Sequence, residues 1–177
     1  MSSHSITLFL QKRNEDGKYA LVSKKPVCRD FMGWLTRVVD DTFDYLNHLD
    51  VVPREEIPKA VKDYVNVHSH NFYYIEVKEL YGEMQELVSA YSDEAKSLCK
   101  SLGFTRTESE WDAILLGDIK GPTTLRVNAD LVQETVRKRN KAMLAEFIQG
   151  ILIGYLGSFG GTADDMDNFR FIAAYDY

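Results

Sequence analysis

The segment His68–Val77, HSHNFYYIEV, sets two histidines two residues apart directly before a run of aromatic and β-branched side chains. Phe72, Tyr73, Tyr74, Ile75 and Val77 suit a pleated, half-buried surface, which predicts a strand over residues 70–77. In a strand, His68 and His70 would point to the same side, as paired metal ligands do. The periodicity then changes. Leu80, Met84, Leu87, Tyr91, Leu98 and Leu102 recur at helical spacing, and Gly103 stands where a helix commonly closes. A strand running into an amphipathic helix points to a mixed fold.

Upstream, residues 50–66 carry Pro53 and Pro58 among charges, the pattern of an irregular loop with one helical turn. Before it, Phe31, Leu35, Val38, Leu46 and Leu49 recur at helical spacing, with Asp30 as the N-cap. The chain opens with two short apolar runs around Asp16-Gly17, a dipeptide that tolerates positive φ, so a hairpin with strands over 5–12 and 18–24 is expected, Pro26 stopping the second.

Downstream, Thr107 and Glu110 have capping-box spacing ahead of Trp111, Ile114 and Leu115, and Gly117, Gly121 and Pro122 end that short helix. From Asn128, the positions Val132, Val136, Met143, Phe147 and Ile151 predict a long helix that frays or bends near Gly150 or Gly154. The last ten residues, NFRFIAAYDY, alternate Phe169, Phe171, Ala173 and Tyr175 on one face of a final strand. The expected architecture is α+β: a small antiparallel sheet of three to four strands, covered on one face by long amphipathic helices, in a single domain over residues 1–177.

Composition bounds the function. A chain of 177 residues with 45% hydrophobic and 27% charged residues is long enough to bury a core without staples. A net charge of -6 argues against bulk binding to a phosphate backbone, yet leaves room for a small anion in a local basic pocket. Cys28 and Cys99 form no metal-binding pattern and read as reduced thiols of a cytoplasmic protein. No secretory signal is expected at the N-terminus, and FIQGILIGYLGSFGG (147–161) is too short and glycine-rich to span a membrane.

Four features carry chemistry or its imitation. His68 and His70 lack the further ligands that zinc requires, so no metal and no cofactor is expected. GYLGSFGG follows a helix rather than preceding one, which favours helix termination over a phosphate loop. Arg137, Lys138, Arg139 and Lys141 have the charge to hold a phosphate, but spread around a helix they suit a solvated face. Phe72, Tyr73, Tyr74, Tyr175 and Tyr177 would lie on neighbouring strands if the third and last strands pair, half of them in the core and half able to stack on a planar ring. No nucleophile motif and no paired-carboxylate motif appears, so nothing argues for an enzyme.

Several pieces together resemble a family of small bacteriophage proteins. CRDFMGWLTRVVDD (28–41) resembles its Arg-[Asn/Asp]-aromatic helix start, and VVPREEIPKAVKDY (51–64) its proline-containing loop. HNFYYIEVKEL (70–80) is similar to its His-Ser-x-Ser-aromatic strand, and DNFRFIAAYDY (167–177) to its terminal Asp-Val-Arg-led strand. The resemblance marks Arg29, Asp30, His70, Arg170 and Asp176 as site residues, to which the aromatic reading adds Tyr74. It implies a phage accessory protein in the host cytoplasm, and the leading expectation is that the protein sequesters a nucleotide-derived immune signal, a cyclic oligonucleotide or ADP-ribose type, without cleaving it. A homo-oligomer completing the pocket is compatible with that reading. The alternative is a protein–protein inhibitor of a host defence enzyme, and a small phosphoesterase ranks third.

Overall fold

The computed structural model describes residues 4–101 and 129–176. The expected short helix after Thr107, together with Gly103 and Tyr177, lies outside the described residues. Two compact units are present, one formed by residues 1–83 and 148–177 and the other by residues 84–147.

The first unit is built on five antiparallel strands: β1 (Ser5–Arg13), β2 (Tyr19–Leu21), β3 (Asp50–Val51), β4 (His70–Glu76) and β5 (Phe169–Asp176), in the order β2-β1-β5-β4-β3. The α+β class stands, but the sheet has five strands rather than three or four. The additional strand is β3, two residues within the expected irregular loop. It pairs Asp50 with Tyr74 and Val51 with Tyr73, too short a stretch to leave a periodic signal.

The Asp16-Gly17 turn forms as expected. Gly17 takes φ 81°, the amide of Asn14 donates to the Lys18 carbonyl at 2.7 Å, and that of Lys18 donates to Asp16 Oδ1 at 3.0 Å. Regular pairing in β2 ends at Leu21, before Pro26, and the chain returns to β1 through a bridge between Cys28 and Leu8.

The expected helix beyond Asp30 is two helices, α1 (Phe31–Val38) and α2 (Thr42–Asn47). Val39 adopts extended angles, and Asp41 caps the second helix by accepting from the Asp44 amide at 3.2 Å. An Asp-Thr pair within the apolar pattern was thus a helix start. Asp30 does precede α1, but in the left-handed region (φ 58°, ψ 31°), and its side chain makes no capping bond. The proline-containing loop is also more ordered than expected, with a 3₁₀ turn at Arg54–Glu56 and α3 at Lys59–Tyr64.

Both sheet faces are buried, which corrects the expectation of a sheet covered on one. One face presents Phe9, Phe72, Ile172 and Ala174, which pack with Val52, Ile57 and Val61 of the loop and α3. On the other, Phe171 meets the edge of the Tyr155 ring, which belongs to the long helix α5 (Ala129–Ser158). Alternation in β5 is therefore hidden, because Phe169 through Tyr175 are buried on both sides except Arg170. Each fully buried Phe or Ile side chain contributes about 2 kcal/mol, so this central strand anchors the unit.

α5 runs as one helix past Gly150 and Gly154, so the fraying expected there does not occur. It ends in the glycine-rich turn, with Gly160 at φ 77° and the Gly161 amide donating to the Leu156 carbonyl at 2.7 Å. The residues that follow, Ala163–Asn168, form a 3₁₀ turn opened by a capping box between Thr162 and Asp165.

In the second unit, α4 (Val77–Ser101) and α5 are tied by Lys138, whose Nζ lies 2.6 Å from Glu94 and 3.3 Å from Glu134, and by Lys141, 5.1 Å from the Tyr91 ring centroid. Among the described side chains of α5, Ala142 and Ala145 are buried in this unit, and Ile148, Gln149, Leu152 and Leu156 in the first. Met143 and Phe147, assigned to the apolar stripe from spacing, are instead 51% and 55% exposed.

Candidate functional site

The residue that organises the site is Arg170, whose side chain projects from the middle of the sheet. β5 is the central strand, and Arg170 faces Gln11 of β1 on one side and Glu76 of β4 on the other. Its Nε donates to Gln11 Oε1 at 2.9 Å. Its Cζ lies 3.8 Å from the ring centroid of Tyr19 and 3.7 Å from that of Tyr74, so the guanidinium is held between two aromatic rings. Three strand registers make this sandwich: Tyr19 opposite Arg13, Gln11 opposite Arg170, and Ile172 opposite Tyr74.

Tyr74 is fixed from the other end as well, its hydroxyl donating to Glu56 Oε2 at 2.6 Å. Burial, and then the bond to Glu56, push its hydroxyl up to about 12. Glu76 is half-buried, and its carboxyl is pushed up by burial, an effect that the Arg170 charge opposes.

A cleft of about 590 Å³ opens beside this stack. Arg13, Tyr19, Tyr74 and Glu76 line it from the sheet, His48, Leu49 and Asp50 from the segment ending in β3, Lys78 and Glu79 from the start of α4, and Asp167 from the last 3₁₀ turn. Lys78 Nζ sits 2.8 Å from Asp167 Oδ1, and Arg13 Nη2 donates to Asn168 Oδ1 at 2.9 Å. Four carboxylates thus share the lining with two cations. Such a wall recognises donor-rich ligands and tolerates few negative charges. It combines aromatic surface with polar groups that converge on one space, the usual composition of a small-molecule site.

The predicted site residues do not form one cluster. Tyr74 and Arg170 come together, as described. His70 and Asp176 oppose each other in the register, on the same face but six residues further along, about 20 Å away at strand rise. There His70 Nδ1 lies 2.7 Å from the Asn66 carbonyl and 3.2 Å from Ser69 Oγ. A carbonyl only accepts, so Nδ1 is the donor. The backbone carbonyl of Asp176 receives His4 Nδ1 at 3.3 Å, and the His4 ring stacks on Tyr175 with centroids 5.7 Å apart. Arg29 forms a third location, its Cζ 5.1 Å from the centroid of Tyr64, whose ring meets Phe9 edge-on.

His68 and His70 do not share a strand: His68 lies in the turn before β4 and donates its amide to Asn66 Oδ1 at 2.9 Å. Among the described residues, no group of three or more His, Cys, Asp or Glu side chains is placed to hold a metal ion. No described helix is long and apolar enough to cross a membrane. Of the aromatics weighed as stacking groups, Phe72 and Tyr175 belong to the core, while Tyr73 and Tyr74 remain half-buried.

Sequence reasoning missed Tyr19, Arg13, Asp50, Glu76 and Asp167. A signal existed for the first two, since a hairpin about Asp16-Gly17 sets Tyr19 across from Arg13. Compared with family models, curated proteins and solved structures, the chain finds no match.

Proposed function

We propose that this protein is a non-catalytic binding module that sequesters a nucleotide-derived ligand in the cleft beside Arg170. The observation that carries the reading is the guanidinium of Arg170 held between Tyr19 and Tyr74 at 3.8 and 3.7 Å, with both rings bordering a cleft of about 590 Å³. This arrangement preorganises aromatic surface, and rings fixed before binding lose little entropy when a planar base packs on them. Arg13 and Lys78 are the cations in the lining, and phosphate oxygens would take them by competing with Asn168 and Asp167.

The charge balance selects within the class. Asp50, Glu76, Glu79 and Asp167 stand against Arg13 and Lys78, which disfavours a triphosphate. A cyclic oligonucleotide carries one charge per phosphodiester, and an ADP-ribose type two for a large planar and hydroxyl-rich body. Either suits a wall rich in acceptors. The resemblance to small bacteriophage proteins supplies the setting: the ligand is a host immune signal, and capture without cleavage silences it.

The test is a thermal-shift screen of the full chain against cyclic di- and trinucleotides, ADP-ribose derivatives and mononucleotides, with mass spectrometry of recovered ligand. A ligand that binds only the native state raises the midpoint by mass action, and it should return intact. A chemically altered ligand would show an enzyme, while no shift with any compound would remove the reading. The second reading, a surface that docks on a host protein, is favoured by Phe43 and Val51, which are 63% and 68% exposed.

A further inference from the structure

The cleft that the proposed function rests on also carries a base preference. We infer that its carboxylates select guanine over the other bases, with Glu76 and Asp50 as the specificity-determining pair beside Tyr74. Three features of the structure carry this.

First, the two carboxylates flank the aromatic surface by register. Asp50 is directly opposite Tyr74 across the β3–β4 pair, and Glu76 is two residues beyond Tyr74 on the same face of β4. Directly opposed side chains stand about 5 Å apart at Cβ, and next-but-one neighbours about 7 Å, within reach of the edge of a base packed on the ring. Second, the remaining carboxylates of the lining are less well placed: Asp167 already holds Lys78 at 2.8 Å, and Glu79 stands at the start of α4 rather than on the paired strands β3 and β4 that carry Asp50, Tyr74 and Glu76. Third, Glu76 is half-buried, so an edge that fails to satisfy it is penalised more heavily than at an exposed carboxylate.

The chemistry then discriminates. Guanine presents two adjacent donors, N1–H and the exocyclic amino group, spaced to meet both oxygens of one carboxylate. Adenine and cytosine each present an amino donor beside a ring-nitrogen acceptor, whose lone pair faces the carboxylate unfavourably. Uracil offers one N–H flanked by two carbonyl oxygens. Only guanine satisfies a carboxylate in a bidentate manner without such opposition.

The experiment measures affinity of the full chain for three cyclic dinucleotides that share a backbone and carry two guanines, two adenines or two hypoxanthines. Hypoxanthine keeps N1–H and lacks the amino group, so it isolates one of the two bonds. The guanine ligand is expected to bind roughly ten- to a hundredfold more tightly than the adenine ligand, with hypoxanthine between them, as loss of one hydrogen bond to a charged group implies. Glu76→Gln and Asp50→Asn, checked for folding by circular dichroism, are expected to shrink that ratio in at least one variant. Equal binding of guanine and adenine would overturn the base preference and leave the proposed function standing. A guanine preference unchanged in both variants would overturn its assignment to these carboxylates. Failure of all three ligands, and of mononucleotides, would remove the proposed function and the preference together.

Discussion

The two ends of one sheet face, about 20 Å apart along the same strands, solve the problem of a polar group in a core in opposite ways. At the far end, His70 satisfies itself locally, its Nδ1 donating to the carbonyl of Asn66 four residues earlier. At the near end, Arg170 is satisfied only by residues distant in sequence: Gln11, Tyr19 and Tyr74. A locally satisfied group needs nothing from a ligand and closes a turn. A group satisfied by three other strands rigidifies the wall on which a cleft opens. The two ends therefore differ in what substitution should do.

The largest effect is expected at the near end. Arg170→Ala removes two cation–π contacts, each worth about 0.5–2 kcal/mol, and leaves the buried Gln11 amide without its guanidinium partner, about 1 kcal/mol more. A loss of about 2–5 kcal/mol should appear as a lowered urea midpoint. Arg170→Lys keeps the charge but not the planar fork, so it should recover less than half of that loss. Full recovery by lysine would show that charge alone, not the stack, holds this end together.

Next in size is the bond that braces the stack from outside. Tyr74→Phe keeps the ring and removes donation to Glu56, at a cost of about 1 kcal/mol. Because the folded hydroxyl is raised from 10.0 to about 12, its contribution is fully present below 10 and is lost as pH rises through about 12. Burial also raises Tyr45 and Tyr155, so ultraviolet titration should show one late-ionising tyrosine fewer in the variant than in the parent. An unchanged number would remove Tyr74 from that group.

Glu76 should give a smaller effect of a different kind. Its carboxyl is raised above 4.5 by burial, against the pull of Arg170. A raised folded value means that its contribution is fully present below about 4.5 and is lost as pH rises through the folded value. Glu76→Gln should therefore flatten the stability profile just above pH 4.5 and cost little at neutral pH. A steeper profile in the variant would reverse the sign and place the destabilising group elsewhere.

The same contrast between local and distant partners explains what was legible in the sequence. β4 and the Asp16-Gly17 turn were readable because β-propensity and turn chemistry are properties of a few adjacent residues. β5 was readable as a strand but not as the central one, since its pairing with β1 and β4 and the packing of Val52, Ile57 and Val61 on Ile172 and Ala174 both come from segments distant in sequence. β3 was not readable, because two residues carry no period and their pairing is imposed by β4. The split of the first helix was written in Asp41-Thr42, a capping signal masked by apolar spacing that ran past it. Met143 and Phe147 fit a helical stripe, yet the buried face of α5 runs through the smaller Ala142 and Ala145. Among the site residues, Tyr74 and Arg170 came from an aromatic run and a resemblance, whereas their meeting with Tyr19 required three registers across the whole chain.

The smallest effect is expected at the far end, where it tests the other half of the comparison. His70→Ala deletes the bond to the Asn66 carbonyl, but the turn keeps the amide of His68 on Asn66 Oδ1 at 2.9 Å and that of Ser69 on the Asn66 carbonyl at 3.2 Å. With two of its bonds intact, the turn should lose no more than about 1 kcal/mol in urea denaturation. Ligand affinity in the cleft should also stay unchanged, because the site is some 20 Å away and shares only the strand backbones. A cost equal to that of Arg170→Ala would mean that the two ends are equally built into the fold. A loss of ligand affinity without a loss of stability would move the binding surface toward His70 and Asp176.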